Sequence, residues 1–178
     1  LLVVTDHSNC YYHAYKLTQL FEELGMELEL QNINWDGIIP GLMNGNYDCL
    51  ITAMTITEER QKQINFSDPY FTIMQAIVVR EDDDRISGFE DLIGMTVTAQ
   101  NGTTGDLYAS AAHGIKVKRF DTNPQAIQEL LNKNADAAIM DDLVAYQAIA
   151  KMKGLKVIQI AEAEVENYGI GIKKGNDQ

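Results

Sequence analysis

The sequence predicts an α/β protein of two lobes, each a mixed, mostly parallel sheet flanked by helices. Three observations predict it. Apolar residues recur by turns at period two and at helical spacing along most of the chain, the signature of strands alternating with helices. The alternation falls into two series of similar length with no sequence repeat between them, so two lobes are expected rather than one wide sheet. The 178 residues are 46% hydrophobic and 22% charged with only three prolines, a globular composition long enough for a genuine core.

The first series opens on a strand, Leu2 to Thr5. Leu17, Leu20, Phe21 and Leu24 then recur at helical spacing until Gly25, which predicts an amphipathic helix from Tyr12 to Leu24. Met26, Leu28 and Leu30 alternate with Glu27 and Glu29 as a half-buried strand does. Asp36 is expected to cap a short helix carrying Ile38, Ile39, Leu42 and Met43, which stops at Asn44-Gly45 before a strand from Tyr47 to Ile51. Thr57-Glu58-Glu59-Arg60 starts a further helix with Thr57 as its cap.

The apolar segment Gln75 to Val79 joins the two series without a flexible linker. Ser87-Gly-Phe-Glu90 has the spacing of a capping box, in which hydroxyl and carboxylate each satisfy an orphan backbone N–H. Strand Met95 to Ala99 leads through Gly102-Thr-Thr-Gly105 into a helix, strand Lys116 to Phe120 follows, and Asn123-Pro124 caps a helix bearing Ile127, Leu130 and Leu131. Strand Ala137 to Met140, helix Leu143 to Met152 and strand Leu155 to Ile160 complete this series, and Tyr168 to Ile172 is a last strand-like run. The expected division is residues 1–78 with 167–178 as the first lobe and 79–166 as the second, with two hinge crossings.

Charge and motifs exclude several classes of function. Fourteen Lys and Arg against 26 Asp and Glu leave a net charge of −12, a field that repels phosphate backbones and anionic lipid, so nucleic acid is not expected as a partner. The apolar runs are too short to span a bilayer, and any targeting segment is expected to lie outside this chain. Two cysteines make no disulfide framework, and Cys49, inside an apolar run, is expected as a buried free thiol. His7, Cys10 and His13, near Asp6, share a spacing of three that would suit zinc on a helix, but all three would have to face inward, and metal binding is set aside. No nucleophile elbow, paired His-Glu metalloprotease helix or Rossmann glycine pattern is present, so catalysis is not indicated and no cofactor is expected.

Three places carry candidate binding chemistry. Arg60 stands in the first turn of its helix, against the dipole, where its planar guanidinium suits a carboxylate and the hydroxyls of Thr52 and Thr55 lie close; the plain alternative is a surface arginine paired with an acid. Gly102-Thr103-Thr104-Gly105 joins a strand to a helix, so free N–H groups and two hydroxyls converge as at an anion site, or simply form a turn. Asp141-Asp142 ends a strand at the edge where ligands of open sheets gather, or one of the pair caps the next helix.

These residues carry a resemblance. Asp48-Cys-Leu-Ile-Thr52-Ala-Met-Thr55-Ile-Thr-Glu-Glu-Arg60 and Phe66-Ser-Asp-Pro-Tyr70 closely resemble the amino-acid-binding, family 3 solute-binding proteins of bacterial ABC importers. Trp35-Asp-Gly-Ile-Ile-Pro40, Gly102-Thr-Thr-Gly105 and Asp136-Ala-Ala-Ile-Met-Asp141-Asp142 match the same family in the same order. The resemblance implies a type II periplasmic-binding-protein-like clamshell holding an L-amino acid, polar or medium-sized, between its lobes. By the same resemblance Arg60 grips the α-carboxylate, aided by Thr55 and Thr104, with Thr103 also among the ligand-binding residues; Asp141 takes the α-ammonium and Ala53 offers a backbone carbonyl. Trp35 packs on the ligand side chain, Asp6 meets it, and Gln100 and Met140 line the second lobe's wall.

Implied with it are a monomer without enzymatic activity, an ABC permease as membrane partner, and a periplasmic or lipid-anchored extracytoplasmic location. The sequence departs from the family between Asp6 and Tyr12, where His7-Ser-Asn-Cys-Tyr-Tyr-His13 replaces a longer loop bearing an aromatic, a role Tyr11 or Tyr12 would fill. The family also continues beyond Gln178 into helices that finish the first lobe, so a fragment or an abbreviated relative is expected. The other readings of such a fold are the sensor domain of a membrane receptor and an enzyme such as a dehydratase.

Overall fold

A computed structural model describes residues 2–5 and 21–176 of the chain. In chain order the elements are β1 (Leu2–Thr5), β2 (Glu29–Asn32), a 3-10 turn (Trp35–Gly37), α1 (Ile38–Asn44), β3 (Cys49–Thr55), α2 (Glu58–Gln61), β4 (Asn65–Phe66), β5 (Phe71–Ile73) and β6 (Gln75–Arg80). A second 3-10 turn (Phe89–Leu92) precedes β7 (Thr96–Gln100), α3 (Thr104–Ala111), β8 (Lys116–Phe120), α4 (Asn123–Leu131), β9 (Ala137–Asp141), α5 (Asp142–Lys151), β10 (Leu155–Gln159) and β11 (Glu166–Ile172). The described residues up to Thr72, together with those from Glu166 onward, form one compact unit, and Ile73–Val165 form another.

The first unit holds a sheet in the order β2-β1-β3-β11-β4, with β5 also paired to β11. Strands β2 and β3 run parallel to β1, whereas β11 runs antiparallel to β3 and to β4. Helix α1 covers this sheet by burying Ile38 and Leu42 with Tyr47, Leu50, Met54 and Ile64. The Tyr47 hydroxyl donates toward the Gly37 and Ile38 carbonyls at 3.1 and 3.0 Å, which ties the start of α1 to the bend that leads into β3.

The second unit holds a sheet in the order β10-β6-β9-β7-β8. Alternation along β6 divides its core: Ile77 and Val79 pack on one face with Val97, Ala109 of α3 and Ile139, while Ala76 and Val78 pack on the other with Ile127 and Leu130 of α4 and Ala145 of α5. A sheet covered on both faces explains why the run from Ala76 to Val79 is apolar without interruption. In both units the antiparallel ladders involve β6 or β11, the strands that follow the two passages of chain between units. Strands entered without a helical crossover are under no constraint to run parallel, so the sheets are more evenly mixed than the sequence predicts.

Several boundaries differ from expectation for local reasons. Strand β3 continues to Thr55 because its ladder with β11 resumes after an irregularity. The strand expected from Met26 begins at Glu29. Asp36 lies inside the 3-10 turn and does not cap α1, whose preceding residue is Gly37; left-handed Gly45, φ 77°, ends that helix as expected. The carboxylate of the Ser87 turn is Asp91, not Glu90: its Oδ2 accepts from the Ser87 backbone at 2.8 Å and the Ser87 hydroxyl at 2.8 Å. Thr122 rather than Asn123 caps α4, in a reciprocal pair with Gln125. The passage expected at residue 78 falls at 72 because β6 is laddered between β9 and β10. The helix expected from Tyr12 lies mostly outside the described residues, of which 21–23 are helical.

Candidate functional site

In the first unit, several candidate side chains gather where β3 gives way to α2. Gly169 of β11 pairs with Met54 and Gly171 with Leu50, so three residues of β3 stand opposite one of β11. Ala53, within this bulge, has φ 52°, a left-handed conformation that costs a residue with a Cβ about 1–2 kcal/mol. Its neighbour Thr52 is buried, and Thr52 Oγ1 has no hydrogen-bond partner among the described residues. The Tyr70 hydroxyl accepts a backbone hydrogen bond from Ala53. A left-handed residue and a buried hydroxyl with no partner among the described residues thus fall side by side in this bulge.

Arg60 closes the same corner. Thr57 caps α2 as expected, its hydroxyl accepting from Arg60 N at 3.2 Å. The side chain folds back so that Nη1 donates to the Thr55 carbonyl at 2.8 Å, and the guanidinium carbon lies 5.3 Å from the centroid of the Trp35 ring. At 8% exposure Arg60 is not a surface residue, while Glu59 pairs outward with Lys62 at 2.7 Å. The helix has only four residues, so its dipole acts weakly on Arg60, and burial is what sets this arginine apart. A planar cation held from behind by a carbonyl and an aromatic face suits a carboxylate.

In the second unit, β6, β9 and α3 converge. Gln75 and Asp141 are directly paired on the antiparallel ladder, and Gln75 Nε2 donates to Asp141 Oδ1 at 2.7 Å and to Thr104 Oγ1 at 3.1 Å. Asp141 precedes α5 without capping it through its side chain; Asp142 instead accepts from the Leu143 N–H at 2.8 Å. Thr103 caps α3, accepting from Asp106 N at 3.3 Å and donating to the Gln100 carbonyl at 2.8 Å, so its hydroxyl is committed to the turn. Thr104, rather than Thr103, stands with the first-turn N–H groups at the start of α3, the kind of helix end that suits an anion.

The other named residues are placed as follows. Thr55 is buried on β3 opposite Tyr168, and Trp35 is half-buried. Gln100 is buried with its amide donating to the Asp121 carbonyl at 3.0 Å and accepting from Asn123 at 2.9 Å. Met140 belongs to the core face beneath α4 and α5. Asp6, His7, Cys10, Tyr11, Tyr12 and His13 lie outside the described residues. No group of acids, histidines and cysteines suited to a metal occurs among the described residues, and no described helix is long and apolar enough to cross a membrane. Burial pushes the Cys49 thiol up to about 11, so it is an inert core group.

Sequence reasoning missed two residues. Gln75 was hidden as the polar first letter of an apolar run. Asp106, 4% exposed, braces the glycine turn by accepting from Gly102 N at 3.1 Å while Arg119 Nε lies within 3.0 Å of its carboxylate. The Thr103-x-x-Asp106 spacing was the available signal.

Comparison with known proteins matches residues 16–177 to the sequence profile of bacterial extracellular solute-binding proteins, family 3. A probable histidine-binding protein of Neisseria gonorrhoeae is 32% identical over 157 residues, which cover 85% of this chain and 58% of that protein. The chain thus spans less than two thirds of that relative's length. Among solved structures, the arginine-bound form of truncated ArgBP from T. maritima is 38% identical with a TM-score of 0.90, covering 98% of this chain and 88% of that one. An ancestral arginine-binding protein bound to glutamine is 37% identical with a TM-score of 0.92, covering 99% and 84%.

Proposed function

We propose, from the fact that this chain belongs to the bacterial extracellular solute-binding proteins of family 3, that it captures a free L-amino acid, polar or medium-sized, and delivers it to an ABC importer. The observation that carries this reading is Arg60, a buried guanidinium aimed by the Thr55 carbonyl and the Trp35 ring. In a chain of net charge −12 such a cation selects an anionic group at close range and not a polyanionic surface. The α-carboxylate binds Arg60 with help from Thr55 and from Thr104 at the start of α3; the α-ammonium binds Asp141 and the strained Ala53 carbonyl. Trp35 packs on the ligand side chain and Asp6 meets its end. Thr103, Gln100 and Met140 contribute by holding the residues that touch ligand.

The energetics suffice. Each hydrogen bond to a charged group contributes about 1.5–3 kcal/mol, so a handful exceed the roughly 8 kcal/mol of micromolar binding after ordering costs. The similar proteins are named for histidine and arginine, and one was captured with glutamine, so the family does not dictate the side chain. The protein works as a monomer outside the cytoplasm and without catalysis. A thermal-shift screen against the twenty amino acids tests this, because a ligand bound only by the native state raises the melting temperature by mass action. One or a few amino acids are expected to raise it, and a flat response across the panel refutes the reading.

A further inference from the structure

A single buried amide joins the two groups of the second unit that serve opposite ends of the proposed ligand. Gln75 is 1% exposed, and the four residues after it on β6 are apolar and fully buried. Its one nitrogen carries two protons, and the two donated bonds run to Asp141 Oδ1 at 2.7 Å and Thr104 Oγ1 at 3.1 Å. The first turn of α3 closes directly on this amide: a Cβ on Gly105 would stand 2.9 Å from Gln75 Oε1 and 3.2 Å from the Ile139 carbonyl. Burying an amide inside an apolar sheet is costly compared with burying a methionine or leucine of similar size. Packing alone would not select glutamine here.

We propose that Gln75 is a positioning residue for the amino-acid site, an inference that rests on the function proposed above. It fixes the Asp141 carboxylate for the ligand ammonium. It also sets the polarity of Thr104, because a hydroxyl that accepts from the amide turns its own proton away from Gln75 and donates to an anion. Since one nitrogen serves both partners, the two ends of the ligand are coupled through it, and loss of either partner loosens the other.

The test measures calorimetric affinities for L-arginine, L-glutamine and L-histidine, and for the α-hydroxy acid analogue of whichever binds, in which the ammonium is replaced. Gln75→Met keeps length and packing but removes both donors. It is expected to weaken the amino acid about tenfold to a hundredfold and to shrink the preference for it over the hydroxy acid by a similar factor. Thr104→Val, which keeps Gln75, serves as the second variant: it too is expected to reduce that preference, although Thr104 addresses the carboxylate end. A merely structural glutamine would weaken both ligands alike. A wild-type preference retained in either folded variant overturns the proposal. Wild-type protein that binds none of the twenty amino acids overturns the binding reading and this inference together, whereas wild-type binding with unchanged preferences overturns this inference alone.

Discussion

The two units offer opposite charges built in opposite ways. The first presents a cation on a continuous stretch, Thr52 to Arg60, where a bulge, a capped turn and one folded-back side chain suffice. The second presents an anion assembled from distant segments, with Gln75 reaching 66 residues along the chain to Asp141 and 29 to Thr104. The difference teaches that a guanidinium, which carries its own planar donor geometry, needs only a backstop, whereas a carboxylate must be oriented by a partner.

The largest expected effect falls on the first unit. Arg60→Met removes the cation while keeping an apolar stem beside Trp35, and amino-acid affinity is expected to fall by about 3 kcal/mol, roughly 150-fold, by calorimetry. Asp141→Asn keeps an acceptor for Gln75 but removes the charge, and a smaller loss of about 2 kcal/mol is expected, concentrated on ligands that carry an ammonium. A larger loss at Asp141 than at Arg60 would invert the comparison. Trp35→Leu removes the ring behind Arg60 and is expected to cost about 1 kcal/mol of affinity.

Helix caps sharpen the contrast further. Thr57→Ala and Thr122→Ala should each lower stability in denaturant by about 1 kcal/mol, but Thr57→Ala should weaken binding more, because α2 itself carries Arg60 whereas α4 reaches the proposed site only through Asn123 and Gln100. Equal effects on affinity would show that Arg60 is held independently of its helix. The smallest effect concerns acid. Hydrogen bonds from the Arg85 guanidinium, together with the nearby Arg80 charge, hold the Asp83 carboxyl at about 2, below its ordinary 3.8. A depressed folded value means that this contribution is complete above pH 4 and is lost as pH falls through 2. Asp83→Asn should therefore flatten the acid limb of a melting-temperature profile while leaving affinity at neutral pH unchanged.

What the sequence disclosed follows the same division. Local signals carry furthest: β8 is legible residue for residue, Thr57 caps α2, and Arg60 stands out in the sequence by its place in a first helical turn and in the structure by its burial. The end of β3 was missed because Thr52-Ala53-Met54-Thr55 breaks the apolar run, and only the bulged ladder with β11 carries the strand onward. Gln75 was illegible because the role of a polar residue at a strand's edge depends on partners that only the ladder with β9 brings near. Met140 has an apolar letter at a strand end, equally suited to a pocket wall or a core, and packing under α4 and α5 assigns it to the core.

The proposed division of labour has Arg60 address the carboxylate end of an amino acid and Asp141 its ammonium end. It is tested most directly by titrating wild type, Arg60→Met and Asp141→Asn in a calorimeter with a bound amino acid, its α-amide and its α-hydroxy acid. The predicted result is a crossed pattern. Arg60→Met ceases to prefer the amino acid over the amide but still prefers it over the hydroxy acid, and Asp141→Asn does the reverse. Equal losses for both analogues in both variants would contradict it.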